Sequence, residues 1–459
     1  MLSIIRSKKI AFYLLLLCSI GIGLQLGFYK ISILALLLQW MISAGFKQKI
    51  IKLRQNNFAI GMIALYFMYV LSLLWSDNIE FALIDLLLKT PILILPLVLV
   101  ESQQNLSKKQ INQILLSFAF SVLALNLFCL INGYISYIDS GEINEFFYGY
   151  LTVNMHSSYQ AMFTCFSIVI FIYLRLKEKI ISNWMMLAAI FLQMIFIFLL
   201  SSRMQILIMT VLAPSFLVVH YYMKRKLILG FLYVALIFFF AKLIVSTPSV
   251  LNHRYKKTVS HINSIGVDND NSDPRKFIWG EGLKVIKNNW LIGTGVGDAK
   301  DVLVERYLRL TLKNPNFEFL MDSAIYQIEQ NQKTIVYVRE KAKLNKTTYE
   351  KQLNSYAEKV IKRKSNEYKV AAGRRFNFHN QYMQIFGTIG VFGFLLLVWL
   401  LAFPFIKSLK GKDYLLASFL FIVGSSFLTE SMLERQAGVA FITFFYLFLT
   451  GRVTQNKLS

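Results

Sequence analysis

The sequence predicts an all-α, polytopic helical membrane protein with about twelve transmembrane helices and one large extracytoplasmic helical loop domain. Three observations predict it. Of 459 residues, 56% are hydrophobic and only 16% are charged, against roughly 25% charged in soluble domains. Apolar runs recur that can each cross a hydrocarbon core of about 30 Å. The loops between them alternate between rich and poor in Lys and Arg, which is how membrane topology is encoded.

The spans fall near 10–29, 31–46, 58–75, 82–100, 111–137, 157–174, 184–200, 204–223, 227–246, 380–406, 413–428 and 436–451. The second and eleventh are short and admit a tilted or partly re-entrant path. The N-terminus carries Arg6, Lys8 and Lys9 ahead of the first run, with no small-residue cleavage site. It reads as an uncleaved first helix. Cys18, Cys129 and Cys165 lie inside apolar runs. They read as small core hydrophobes, with no disulfide or metal-ligand spacing.

One set of loops holds Lys47, Lys49, Lys52 and Arg54, then Lys108 and Lys109, then Arg175, Lys177 and Lys179, then Lys224, Arg225 and Lys226, then Lys407, Lys410 and Lys412, and finally Arg452 and Lys457. The intervening short loops at 76–80, 138–156 and 430–436 are poor in basic residues. Both termini are therefore expected in the cytoplasm, with 247–378 outside, because long domains translocate largely regardless of charge. The expected division is 1–246 as nine transmembrane helices, 247–378 as the outer loop domain, and 379–459 as the last three helices. The net charge of +24 does not point to nucleic acid, because the basic residues are spread over many short topogenic loops.

The long loop has distinct parts. A turn-rich stretch, 261–273, follows the ninth span. Residues 274–310 read as helix, Gly turn, helix, with Trp279, Leu283 and Ile286 at helical spacing. Residues 316–370 are Lys-rich and read as one or two amphipathic helices with a solvated face. No internal repeat is visible, so an inverted-repeat transporter gains no support.

Two ionisable residues stand out because each sits at the outer mouth of an apolar helix, where such groups are costly and usually kept for function. Arg203, in LLSSRMQIL, breaks the scarcity of positive charge in the short outer loops. It reads either as a snorkelling interfacial arginine or as an anion-binding group, since guanidinium pairs with phosphate in a bidentate fork. His379 opens HNQYMQIFGTIGVFGF. It reads either as interfacial polarity or as a general acid or base, the ordinary titration of imidazole near pH ~6.5 suiting that role. Gly387, Gly390 and Gly393 after it permit close helix packing.

Arg275 follows Pro274, which is well placed to start a helix whose N-terminus favours anions; a solvated loop arginine is the alternative. Gly293, Gly295 and Gly297 in WLIGTGVGDAK could wrap a phosphate, yet the Lys–Ser/Thr ending of a P-loop is missing. A tight packing turn is the simpler reading. His156, Asn380, Glu430 and Arg435 are placed to support an outer-face site, with Glu434 beside them, and all admit an interfacial role. Asp85 and Lys89, four residues apart, read as a local ion pair. Lys242 is near a span end.

At these residues the chain resembles the bacterial O-antigen ligase and O-antigen polymerase superfamily. The resemblance is sharpest over SSRMQILIMT at 201–210, over 275–298, and over HNQYMQIFGTIGVFG at 379–393. It implies a helical bundle in the bacterial inner membrane with a periplasmic loop domain. It also implies glycan transfer from an undecaprenyl-diphosphate carrier to an acceptor. In ligases the acceptor is lipid A–core; in polymerases it is another repeat unit. By resemblance Arg203 and Arg275 hold the lipid diphosphate and His379 activates the acceptor hydroxyl, with inversion and with no metal or other cofactor. The stretch 316–370 aligns with no motif of the family, so no acceptor-binding residues are carried over. A single dominant outer loop favours a ligase, because the other sizeable one, 138–156, lacks Lys and Arg. A protein O-oligosaccharyltransferase fits the same features. A polysaccharide flippase or exporter would instead need mid-membrane charges and repeat symmetry. A structural assembly partner would use the basic stretch 316–370.

Overall fold

The structure, a computed structural model, describes residues 8–43, 45–103, 106–153, 155–223, 275–312, 321, 324–326, 328–330 and 332–455. The ninth span at 227–246, the stretch 261–273, the loop Lys224–Arg225–Lys226, and Lys242 and Pro274 lie outside them. Among the described residues every regular element is helical. Two compact units emerge: residues 1–213, 290–297 and 380–459 form the first, and 214–289 and 298–379 the second.

The first unit begins with α1 (Lys8–Leu24), α2 (Phe28–Ile42), α3 (Phe46–Arg54) and α4 (Asn57–Leu71). It continues with α5 (Ile79–Lys89), α6 (Pro91–Ser102), α7 (Lys108–Ser140), α8 (Ser157–Leu176), α9 (Asn183–Leu199) and the part of α10 (Arg203–Met223) up to Ala213. Each expected span except the ninth falls on a described helix. By length and composition, five helical segments suffice to cross a membrane unaided, and six if α2 and α3 form one bent span. The other apolar helices are shorter. The short second span ends at Ile42, and the basic α3 turns away by 117°. Buried Lys49 closes that end by donating to the carbonyls of Trp40 and Ser43, which a helix C-terminus leaves without intrahelical donors.

Side-chain caps set many helix starts. Ser107 and Gln110 form a capping box on α7, and Asn56, Asn78 and Ser182 cap α4, α5 and α9. Near the α8 end Glu178 accepts from Lys108, Asn112 and Tyr173 at 2.9–3.0 Å. Burial pushes its carboxyl up, but these hydrogen bonds outweigh it and hold the group below its ordinary range. The core of the unit is aromatic. Phe118 and Phe445 lie 4.5 Å apart, and Phe163 and Phe441 stack at 4.1 Å. The three cysteines are buried and free.

The unit closes with α15 (Gln381–Lys410), α16 (Tyr414–Ser426) and α17 (Gln436–Gln455). Helix α15 breaks at Ile389 and Gly390, where φ and ψ at Gly390 are 69° and −166°. A broken helix in lipid must find new partners for its backbone polar groups. The turn 290–297 supplies them. Thr294 N donates to Gly387 O at 2.8 Å, Gly295 N to Thr388 O at 2.9 Å, and Val391 N to Trp290 O at 2.9 Å. On its other side, Val296 N and Gly297 N donate to the hydroxyls of Ser72 and Ser76 at 3.0 and 3.1 Å, just after α4. The glycines are required. A Cβ at Gly293 or Gly390 would overlap the facing backbone of Thr388 or Leu291, and both glycines have positive φ.

The second unit contains α11 (Arg275–Asn288), α12 (Ala299–Leu312), α13 (Gln332–Leu344) and α14 (Tyr349–Gly373). The helix, Gly turn, helix reading of 274–310 agrees with α11 and α12. On α11, Ile278, Val285 and Ile286 are buried and Leu283 is exposed. Buried Glu281 shares the inner face and pairs with Lys284 and Arg306 at 2.7 and 2.9 Å. In the basic stretch α13 and α14 pack through Val338, Leu353 and Ala357, with Ala324 and Ile328 in the same cluster. Their basic residues Arg339, Lys341, Lys343, Lys351 and Lys359 are exposed.

Gly390→Ala should destabilise the first unit. The glycine-only backbone region costs other residues roughly 1–3 kcal/mol, and the overlap with Leu291 adds to it. Gly280, on exposed α11 with open space around it, is the control. Fluorescence-detected size exclusion of detergent extracts after heating should show early loss of the monodisperse peak for Gly390→Ala and none for Gly280→Ala.

Candidate functional site

The site-forming residues gather around one short segment, 426–434, which joins α16 to α17. Four separate helices are tied to it. Gln205, in the first turn of α10, donates to the Ser426 hydroxyl at 2.7 Å. Gln381 N donates to Phe427 O at 2.8 Å, and Leu433 N donates to the Gln381 side-chain oxygen at 2.6 Å. Asn380 donates through its backbone N to the Ser431 hydroxyl at 3.2 Å and through Nδ2 to Leu428 O at 3.0 Å. The Tyr159 hydroxyl, on α8, donates to Ser431 O at 2.9 Å. Lys89, on α5, reaches Glu434 at 3.2 Å.

Lys89 is completely buried. Its ammonium donates to both carboxylate oxygens of Asp85, at 2.7 and 2.6 Å, and to Glu434 Oε1. It also lies 5.0 Å from the centre of the Tyr69 ring. The i, i+4 pair expected between Asp85 and Lys89 is present. Its extension to Glu434, 345 positions away, escaped sequence reasoning. The signal available was a lysine inside an apolar run, a position that demands a counter-charge. Gln205, Gln381, Ser431 and Tyr159 were missed for the same reason: each is ordinary in sequence and acquires its role through a distant partner.

Arg203 is the first residue of α10, two positions before Gln205. It is exposed and makes no ion pair with a described residue. A helix N-terminus with an exposed guanidinium favours an anion. Arg275 is the first residue of α11 in the second unit and is half-buried. His379, the last residue of the second unit, has φ 45°. This left-handed conformation is uncommon outside glycine and recurs at functional sites. Its backbone N donates to Asn377 Oδ1 at 3.0 Å, and its ring meets Phe376 edge-on at 5.4 Å.

The supporting residues divide. The Asn380 side chain is committed to structure: Oδ1 caps α15 by accepting from Met383 N at 3.1 Å, and Nδ2 holds Leu428. Asn380, expected to support the site, thus holds the start of α15 and the 426–434 segment together. His156 caps α8, its Nδ1 accepting from Ser158 N at 3.3 Å, and its side chain is exposed. Glu430 is buried and Arg435 exposed, and both lie within electrostatic range of the Tyr159 hydroxyl. The phosphate-wrapping reading of Gly293, Gly295 and Gly297 fails, because the N–H groups of residues 294–297 already donate within the protein. Among the described residues no group of three His, Cys, Asp or Glu is placed to hold a metal.

The apolar helices thus define a polytopic helical membrane protein, with Arg203 and Arg275 at helix N-termini. Residues 187–328, less than half of the chain, match the family model described as O-antigen ligase. The matched segment contains Arg203 and Arg275; His379 and 426–434 lie beyond it. A search of curated proteins finds no match.

Lys89→Met should lower stability sharply, because removing one partner of a buried ion pair costs roughly 3–5 kcal/mol. Replacing Asp85 and Lys89 together by Leu and Met should recover part of the loss, since an apolar substitute for a buried pair is often tolerated. Thermal melts of the detergent-purified variants test this. A wild-type melting temperature for Lys89→Met would contradict the buried pairing.

Proposed function

We propose that the chain is an O-antigen ligase-like, inverting glycosyltransferase at the periplasmic face of the bacterial inner membrane. Its donor is a glycan on undecaprenyl diphosphate and its acceptor is lipid A–core. The observation that carries this reading is the O-antigen ligase match over 187–328, which contains arginines at the starts of two helices, Arg203 and Arg275. A lipid diphosphate is a good leaving group once its charge is neutralised, and arginine supplies a permanent, bidentate counter-charge. In the proposed step His379 takes the proton of an acceptor hydroxyl as its oxygen attacks the anomeric carbon. The glycosidic C–O bond to phosphate breaks, and undecaprenyl diphosphate departs against the two arginines. A single displacement inverts the anomeric centre. No step requires a metal or another cofactor. The proposed topology has about twelve spans, both termini in the cytoplasm and 247–378 in the periplasm.

Deletion of the gene followed by lipopolysaccharide electrophoresis tests the acceptor. A ligase leaves core without polymer while polymer accumulates on the lipid carrier. Core carrying a single repeat would mean a polymerase, and an unaltered profile would point to another glycan or a protein acceptor. In complementation, Arg203→Ala should abolish transfer at normal protein levels, and Arg203→Lys should restore only part, because an ammonium lacks the fork. His379→Ala should lose about 10²–10⁴-fold, the usual worth of a general base. Full complementation by either alanine variant would remove that residue from the mechanism.

Topology is tested by thiol labelling against a low background, because the native cysteines are buried. Cysteine at Asn345 should react with an impermeant reagent in intact spheroplasts, and cysteine at Lys410 only after lysis. The reverse pattern would put the arginines on the wrong face.

A further inference from the structure

Helix starts in a membrane protein are placed by whatever satisfies their first N–H groups and side chains. In this chain two functionally important starts are placed by one segment. The first turn of α10 carries Arg203, and its Gln205 is anchored on Ser426. The first turn of α15 directly follows His379, and its Asn380 and Gln381 are anchored on Phe427, Leu428, Ser431 and Leu433. Segment 426–434 is short and lies between two helix ends, so its own position must be fixed from outside. Tyr159 fixes its middle through Ser431 O. Lys89 fixes its far end through Glu434, and Asp85 holds the lysine in turn. Packing leaves little slack beyond it: a Cβ at Gly438 would overlap Met432 O.

We infer that Lys89 is a positioning residue: by gripping Glu434 it sets the 426–434 segment, and through that segment the first turns of α10 and α15, which Arg203 opens and His379 precedes in sequence. The inference rests on the glycosyltransferase reading above for what those two residues do, but not for how they are held. The arrangement also explains why a full positive charge is kept at a completely buried place. A neutral residue there could fill the volume, but it could not draw a carboxylate from the α16–α17 segment onto α5.

Two measurements on the full-length, purified protein test it. Glu434→Gln preserves shape and a hydrogen-bond acceptor while removing the charge, and so is expected to fold; Lys89→Met is the harsher companion. Hydrogen exchange should quicken about tenfold or more at residues 380–385 and 427–434 in Glu434→Gln, reflecting easier local opening, while the α13–α14 pair of the second unit is unchanged. This readout needs no activity. Unchanged exchange at those residues in both variants would overturn the positioning role whatever the enzyme does.

The second measurement is transfer from an undecaprenyl-diphosphate-linked glycan. Glu434→Gln should lower kcat by roughly tenfold to a hundredfold, the scale of a small misplacement of reacting groups, with the donor KM within about twofold. Added to His379→Ala, Glu434→Gln should cost little more, because residues acting as a unit are not additive. A multiplied loss in the double variant would mean that Lys89 and Glu434 serve general stability, and would overturn the inference. Full activity of His379→Ala with altered exchange in Glu434→Gln would instead refute the catalytic reading of His379 while supporting the positioning of α15.

Discussion

Backbone hydrogen bonding where helices break is the constraint on which the first unit depends. Inside lipid an exposed N–H or C=O has no water to turn to. Helix α15 breaks at Gly390, α4 ends in a short 3-10 turn over Ser72–Trp75, and the chain between α16 and α17 is irregular. Each irregularity is met by another. The turn 290–297 pairs with the α15 break on one side and with the hydroxyls of Ser72 and Ser76 on the other. The 426–434 segment pairs with the first turns of α10 and α15. At these breaks, backbone, side-chain amides and serine hydroxyls from other elements answer the irregular chain.

The same logic applies to charge. Burying an ammonium is expensive unless it is paired and fully hydrogen-bonded. Lys89 meets both conditions through Asp85 and Glu434, and its position over Tyr69 adds a cation–π contact. Arg203 is the opposite case. It is exposed, at a helix start, and unpaired among the described residues. The contrast separates the two roles: a satisfied buried charge holds structure, and an exposed guanidinium at a positive helix end is free to meet an anion.

Much of the fold was legible because apolar runs and loop charge are local signals. Each expected span outside the undescribed region overlaps a described helix, although five helical segments, or six with the bent pair, are long and apolar enough to cross a membrane. The described part of the Lys-rich stretch is largely helical. The Gly turn was correctly read as a packing turn, though what it packs against could not be read, since Gly387, Thr388, Ser72 and Ser76 are remote in sequence. On α11 the helical spacing was legible, but that buried Glu281 would pair with Arg306 on its inner face was not, because Arg306 lies on another helix. The site residues divide likewise. Arg203 and His379 stood out because each breaks a local rule. Gln205, Gln381, Ser431 and Tyr159 break none, and their roles exist only through partners brought together by folding. Asn380 was noticed for its neighbour, yet its own side chain proves to be a helix cap.

The central claim is glycan transfer from a lipid diphosphate to lipid A–core, and reconstitution tests it most directly. Purified chain in lipid vesicles would be given an undecaprenyl-diphosphate-linked glycan and core-only lipopolysaccharide. The account predicts glycan-bearing lipopolysaccharide, release of undecaprenyl diphosphate, and a product linkage of opposite anomeric configuration to the donor, read by NMR. A donor left intact, a donor lengthened by further repeat units, or a product with retained configuration would contradict it.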